Sequence, residues 1–267
     1  MPSIFEGLNQ ICDQWLSIDS SWPGTTEPRY EHTASHQRLC REGWRGLDGQ
    51  ALIERLYHGI LANWSGTRCR SEENWRFEKQ TTLGLDNRRP EVPLERTIAQ
   101  ITDENWVNQV PTASGVDNSG AHHLDLIHRR GLDFTLIELK VAANNPVSAA
   151  LQLVKYGLVH AFSCNHAAEL GYDMERLEIL RAKQVALTVL APYSYYPQEC
   201  HDWLQGFESA LNSGLATVAR DVQHVPTSFR FEAFPEWFVW KPENCCDESA
   251  RKDLLWALHQ RHRLFTS

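Results

Sequence analysis

Residues 122–162 read HHLDLIHRRGLDFTLIELKVAANNPVSAALQLVKYGLVHAF, and this stretch decides how the rest of the chain is organised. Leu124, Leu126, Leu136 and Val141 mark two short β-rich runs, and Arg129-Arg130-Gly131 between them suits a tight connection, so the pattern predicts a β-hairpin. Asp125 interrupts the apolar run of the first strand. On the second, Glu138 and Lys140 stand two apart and share a face, because side chains alternate along a strand. Three charged groups therefore converge on one side of adjacent strands. A Lys and two carboxylates in an apolar hairpin are costly to bury unless the charges pair or hold a metal.

A helix follows. Asn145 is a good N-cap, and Pro146 fits the first helical position, where its missing N–H does no harm. Ala149, Ala150, Leu153, Leu158 and Val159 are expected to face the sheet, while Gln152 and Tyr156, four apart, share another face. Paired carboxylates with further oxygen ligands suit Mg²⁺ or Mn²⁺ better than zinc, and a divalent ion beside a Lys is the equipment for phosphodiester hydrolysis. The bland alternative is a structural ion-pair cluster.

Asp125, then Glu138-Leu139-Lys140 on the next strand, then Gln152-x-x-x-Tyr156 on the following helix resemble the PD-(D/E)XK nuclease superfamily, in particular its RecB-like branch. The resemblance covers about residues 93–189, and Leu124 stands where that family often has Pro. It implies a restriction-endonuclease-like α-β-β-β-α-β core with a mixed central sheet, Asp125 and Glu138 as metal ligands, Lys140 as the water-orienting or charge-stabilising group, and Gln152 and Tyr156 as substrate-positioning residues. In that family a helix ahead of the catalytic sheet often supplies a further acid. Glu95 is the candidate, with an ordinary first-turn Glu favouring the helix dipole as the alternative. The expected activity is Mg-dependent hydrolysis of nucleic acid, DNA rather than RNA. The alternative is a catalytically silent module of the same fold, acting as a nucleic-acid-binding or structural subunit.

At 267 residues the chain suits one elaborated domain: a mainly helical extension over 1–90, a nuclease core over 91–195 and an α/β extension over 196–267 packed on it. The formal charge of −8 is unusual for a protein held by phosphate contacts, so a metal and a local basic rim are expected to compensate. Arg38, Arg41 and Arg45 offer such a rim or merely a solvated face. No run of some 18 apolar residues is present, and the seven cysteines, odd in number and without Cys-x-x-Cys, predict reduced thiols in a cytoplasmic protein with no membrane partner.

Ile4, Leu8, Ile11 and Trp15 predict a helix over 3–17, its apolar face in the core or, alternatively, in a homodimer contact. His32, His36 and Cys40 would align on a helix, but no fourth zinc ligand is evident and histidines that are solvated or satisfied locally are the simpler reading. Asp48 is expected to cap a helix through residue 64, residues 75–78 to form a strand, and Pro93 to start a helix to about Ile101. A first sheet strand at 106–111, a turn at 115–120, a helix at 173–183 and a doubly buried strand at 185–191 complete the core. Trp203, Phe207, Leu211 and Leu215 predict another helix. Phe229, Phe231, Phe238 and Trp240 give a β-rich aromatic tail, read as core with base stacking as the alternative, and Leu254, Leu255, Leu258 and Leu264 a last helix. Of His122, His123 and His128, alternation puts only His123 on the Asp125 face.

Overall fold

The computed structural model describes residues 3–23, 26–66, 74–82, 90–113, 122–141, 145–220 and 225–266; the turn expected at 115–120 lies outside them. The described residues form an α/β structure around one mixed, open sheet whose six strands follow chain order: β1 (Trp106–Pro111), β2 (His123–Arg130), β3 (Asp133–Leu139), β4 (Gln184–Pro192), β5 (Thr227–Phe234) and β6 (His262–Arg263). β1, β2 and β3 pair antiparallel, β3, β4 and β5 parallel, and β6 closes the far edge antiparallel. Arg130 faces Asp133 across the β2–β3 hairpin, and Gly131 supplies the positive φ of 59° that so short a loop requires.

Eight α-helices are described: α1 (Leu8–Trp15), α2 (Thr33–Glu42), α3 (Gly49–Asn63), α4 (Glu91–Ile101), α5 (Pro146–Asn165), α6 (Ala167–Leu170), α7 (His201–Val218) and α8 (Glu248–Gln260). The central helix is α5. Asn145 accepts a hydrogen bond from the Ser148 N–H (3.0 Å), Pro146 opens the first turn, and 16 of its 20 residues are buried. A helix apolar nearly all round must be covered on both sides. β3 and β4 cover one side of it and α3 the other. Gly157 permits the close approach to the sheet, since a Cβ there would come within 2.7 Å of Leu187 Cδ1. α3, capped by the Asp48 carboxylate on Ala51 N–H (3.1 Å), packs in turn on α1 and α7. On the opposite face α4 and α8 bury a smaller core of Leu126, Ile137, Leu139, Leu190 and Phe234.

Several expectations are corrected. α1 is shorter than 3–17, and its Leu8, Cys12 and Trp15 are buried within the chain itself. Residues 173–183 hold turns and a 3-10 turn at Glu178–Arg181 in place of an α-helix, because the Asp173 carboxylate accepts from Glu175 N and Arg176 N and so favours a turn over helical pairing. Residues 75–78 are not a strand. Trp75 has a φ of 62°, and the segment is held beside β1 by the Asn108 side chain, which bonds both Gln80 N (2.8 Å) and Gln80 O (2.9 Å) in place of a ladder. α4 starts at Glu91, two residues before Pro93, and Leu264 lies beyond α8. Phe229 and Phe231 lie on β5, whereas Phe238 and Trp240 follow its end; all four are buried, which places them in the core and not on a stacking surface.

Candidate metal and catalytic site

The hairpin opens where its charges sit. β2 and β3 pair from Arg130–Asp133 up to Leu126–Ile137, and beyond that level the Asp125 carboxylate replaces the ladder by accepting from Leu139 N–H (2.8 Å). Strict alternation fails at the same level. Leu124 and Ile127, three apart, both reach the core under α5, and across the pair Val107 and Val110 do the same. Between them Gln109 is forced to a φ of 51°, a strain of roughly 1–3 kcal/mol for a residue with a Cβ, and its amide donates to Glu95 Oε2 (2.7 Å). The irregularity thus turns Asp125 and Gln109 toward the end of β3 and toward α4.

Four charged groups gather there. Glu95, from α4, and Glu138, from β3, are each only 1 % exposed, while Asp125 and Lys140 are half-buried. The Lys140 ammonium donates to Glu138 Oε1 (2.6 Å). Glu138 Oε2 and Glu95 Oε1 are buried with no hydrogen-bond partner. Burial first, and then the charge of Asp125, pushes the Glu95 carboxyl up to about 8, and the same two causes in the same order push Glu138 up. For Lys140 burial works downward, but Glu138 and Asp125 outweigh it and hold the ammonium above its ordinary range. Burial, reinforced by the neighbouring carboxylate charge, is what raises the two buried acids.

Gln152 and Tyr156 lie beside this cluster on α5, the Gln152 amide 3.5 Å from the Tyr156 hydroxyl, at the edge of hydrogen-bonding distance. Burial and then Glu138 push the Tyr156 hydroxyl up. Against Tyr156 sit the rings of Phe5 (5.9 Å) and His122 (6.4 Å). Alternation had put His122 off the Asp125 face; the slip at Asp125 brings it toward the site. His128 stacks on Trp106 at 4.4 Å, away from the acids. Sequence reasoning missed Gln109, whose role depends on a strained φ, and Tyr195, which follows β4 and feels Lys140 and Glu138 from a buried position. Neither carries a pattern that a strand or helix period would reveal.

The oxygen-rich donor set, with two orphaned buried oxygens, fits a hard divalent cation. It is not drawn tight. Among the described residues, His36, Cys40 and Cys200 form the group whose ligand atoms all fall within 4.8 Å of one another, and the three carboxylates sit wider than that. His32 does not join the group: it precedes α2, and its ring reaches back to Thr26 O at 2.9 Å. Cys40 and Cys200 are joined as a disulfide, 160 residues apart in sequence, which corrects the expectation of wholly reduced thiols. A link of that span leaves no spacing signature. Of the arginines expected to form a basic rim, Arg38 and Arg45 are taken up locally by Glu42 (both 2.8 Å). Arg130, Arg230, Arg261 and Arg263, together with Asp133 and Glu232, line a cavity of about 520 Å³ over the start of β3.

No family model, curated protein or solved structure matches this chain. No helix among the described residues is long and apolar enough to cross a membrane.

Proposed function

We propose that the chain is a metal-dependent nuclease of the PD-(D/E)XK kind, hydrolysing phosphodiester bonds, with DNA the first substrate to test. The observation that carries this reading is the pair of buried, unpartnered carboxylate oxygens, Glu95 Oε1 and Glu138 Oε2, grouped with Asp125 and Lys140 where β2 and β3 part. Ionising these buried acids is costly, as their raised pKa shows, and a bound dication would offset the cost. The run α4-β1-β2-β3-α5-α6-β4, in which the short α6 only extends the α5–β4 connection, supports a restriction-endonuclease-like core around it.

In this reading Asp125, Glu138 and Glu95 hold Mg²⁺ or Mn²⁺. When bound, such an ion lowers the pKa of a water and polarises a phosphoryl oxygen. Lys140, kept charged by its acidic neighbours, would orient the attacking water and stabilise negative charge developing on phosphorus-bound oxygens. Tyr156 remains a neutral hydrogen-bond donor, since its hydroxyl is pushed up, and with Gln152 it positions the phosphate backbone. Gln109 fixes the orientation of Glu95.

The test is incubation with labelled single- and double-stranded DNA and RNA in Mg²⁺ or Mn²⁺ and in chelator. Metal-dependent cleavage that Glu138→Ala abolishes supports the reading. Binding of nucleic acid without cleavage of any of the four would replace it with a silent module.

A further inference from the structure

The second titratable cluster has a different chemistry. His36 and Cys40 stand one turn apart on α2, and the start of α7 brings Cys200 against them. His36 is fully buried and Cys200 is 2 % exposed. We propose that, once the disulfide is reduced, His36, Cys40 and Cys200 form a zinc site, so that the same three residues alternate between a covalent and a metal cross-link of α2 to α7.

Two thiolates and an imidazole are the donors zinc prefers, and they discriminate against the hard ions suited to the carboxylate cluster. The geometry needs little change. Zinc bonds of about 2.3 Å to sulfur and 2.0–2.1 Å to nitrogen, at tetrahedral angles, put neighbouring ligand atoms about 3.5–3.8 Å apart. Both His36 ring nitrogens already lie 3.8 Å from Cys40 Sγ. The two sulfurs must separate, which breaking their bond allows, and Cys200 Sγ, within 4.8 Å of the His36 ligand atom, must draw in to bonding distance of a shared ion. Burial keeps the imidazole neutral, as a ligand must be. The fourth position opens onto a cavity of about 440 Å³ lined by the three ligands together with Arg41, Ser194 and Glu199, where a water or the Glu199 carboxylate completes the shell.

The exchange balances. A dithiol reductant gives two electrons and two protons to the disulfide and leaves as its own cyclic disulfide; Zn²⁺ then displaces the two thiol protons. Oxidation runs in reverse, as an oxidant that accepts two electrons from the thiolates re-forms the S–S bond and releases the ion.

The experiment uses the full chain, reduced anaerobically with excess dithiothreitol, freed of reductant and titrated with Co²⁺ and then Zn²⁺ against a chromophoric chelator. Reduced wild type should show a thiolate-to-cobalt charge-transfer band that saturates at one ion per chain, and oxidised wild type should show no such band. Cys40→Ser and Cys200→Ser should each weaken binding by more than the roughly 10–100-fold that loss of an outer-shell partner costs. His36→Asn should weaken binding and shift the band. A double variant, Cys245→Ser with Cys246→Ser, should bind as wild type. The proposal is overturned if reduced wild type gives no thiolate band, if Cys40→Ser and Cys200→Ser bind undiminished, or if the band disappears with the 245/246 pair. Comparing oxidised with reduced wild type decides the matter even if a substitution prevents folding.

Discussion

Two clusters of charge are compensated differently. In one, Glu232 of β5 accepts from Arg230 with one carboxylate oxygen (2.6 Å) and from Arg261 with the other (3.1 Å), so a buried acid is fully paired. In the other, at the end of β3, Glu138 accepts from Lys140 with one oxygen and leaves the other without a partner, Glu95 is short of one as well, and Asp125 adds to the repulsion. A structural ion-pair cluster looks like the first. Buried acids with raised pKa and unmet coordination are what a binding site looks like before its ligand is considered.

If that difference is functional, the two clusters must respond oppositely to substitution. The largest effect is on turnover: Asp125→Ala, Glu138→Ala and Lys140→Ala should each reduce cleavage to background, while Glu232→Gln leaves it near wild type. Gel assays of labelled DNA with Mn²⁺ check this, and equal losses at Glu232 and Glu138 would erase the distinction.

The next effect is on stability and pH. The folded state holds the Glu95 proton up to about pH 8, whereas the unfolded chain releases it near the ordinary value of 4.5. The contribution is therefore complete below about pH 4.5 and is lost as pH rises through 8. Metal-free protein should lose up to about 5 kcal/mol across that window, the upper limit for a shift of this size. Glu95→Gln should flatten the profile and raise Tm at pH 8. Urea denaturation in chelator from pH 5 to 8 gives the slope; a wild-type profile that rises over this range would contradict the assignment. Glu232→Gln should do the reverse, lowering stability by about 2–3 kcal/mol, less than for a fully buried pair because both arginines are partly exposed.

The smallest effects belong to α5. Gln152→Ala and Tyr156→Phe should each slow cleavage about tenfold, the scale of one hydrogen bond, with Tm changed little for Tyr156→Phe. If both variants melt lower and cut normally, the pair is structural and the resemblance loses its most specific motif.

What could be read from the sequence followed the range of the interactions. The β2–β3 hairpin, the strand at Trp106–Pro111 and the capped α5 rest on local periodicity and single-residue chemistry, and they appear with closely similar bounds. The grouping of Asp125, Glu138 and Lys140 followed from alternation on neighbouring strands. Alternation then failed one residue further on, because the slip at Asp125 and the positive φ of Gln109 depend on packing under α5. His36 and Cys40 were visible as a pair one turn apart, but Cys200 was not, since only the folded chain brings residue 200 to residue 40. The helix expected at 173–183 failed for the opposite reason, a local Asp173 turn prevailing over an apolar pattern.

The central claim is that the acids at the end of β3 form a cation site and that Lys140 acts only on the reaction. Calorimetric titration of Mn²⁺ into wild type, Asp125→Ala, Glu138→Ala and Lys140→Ala tests it most directly. Wild type and Lys140→Ala are expected to bind the ion, the latter at least as tightly because a neighbouring positive charge has gone, and both carboxylate variants to lose affinity. A wild type that takes up no Mn²⁺, or carboxylate variants that bind it undiminished, would overturn the cation site.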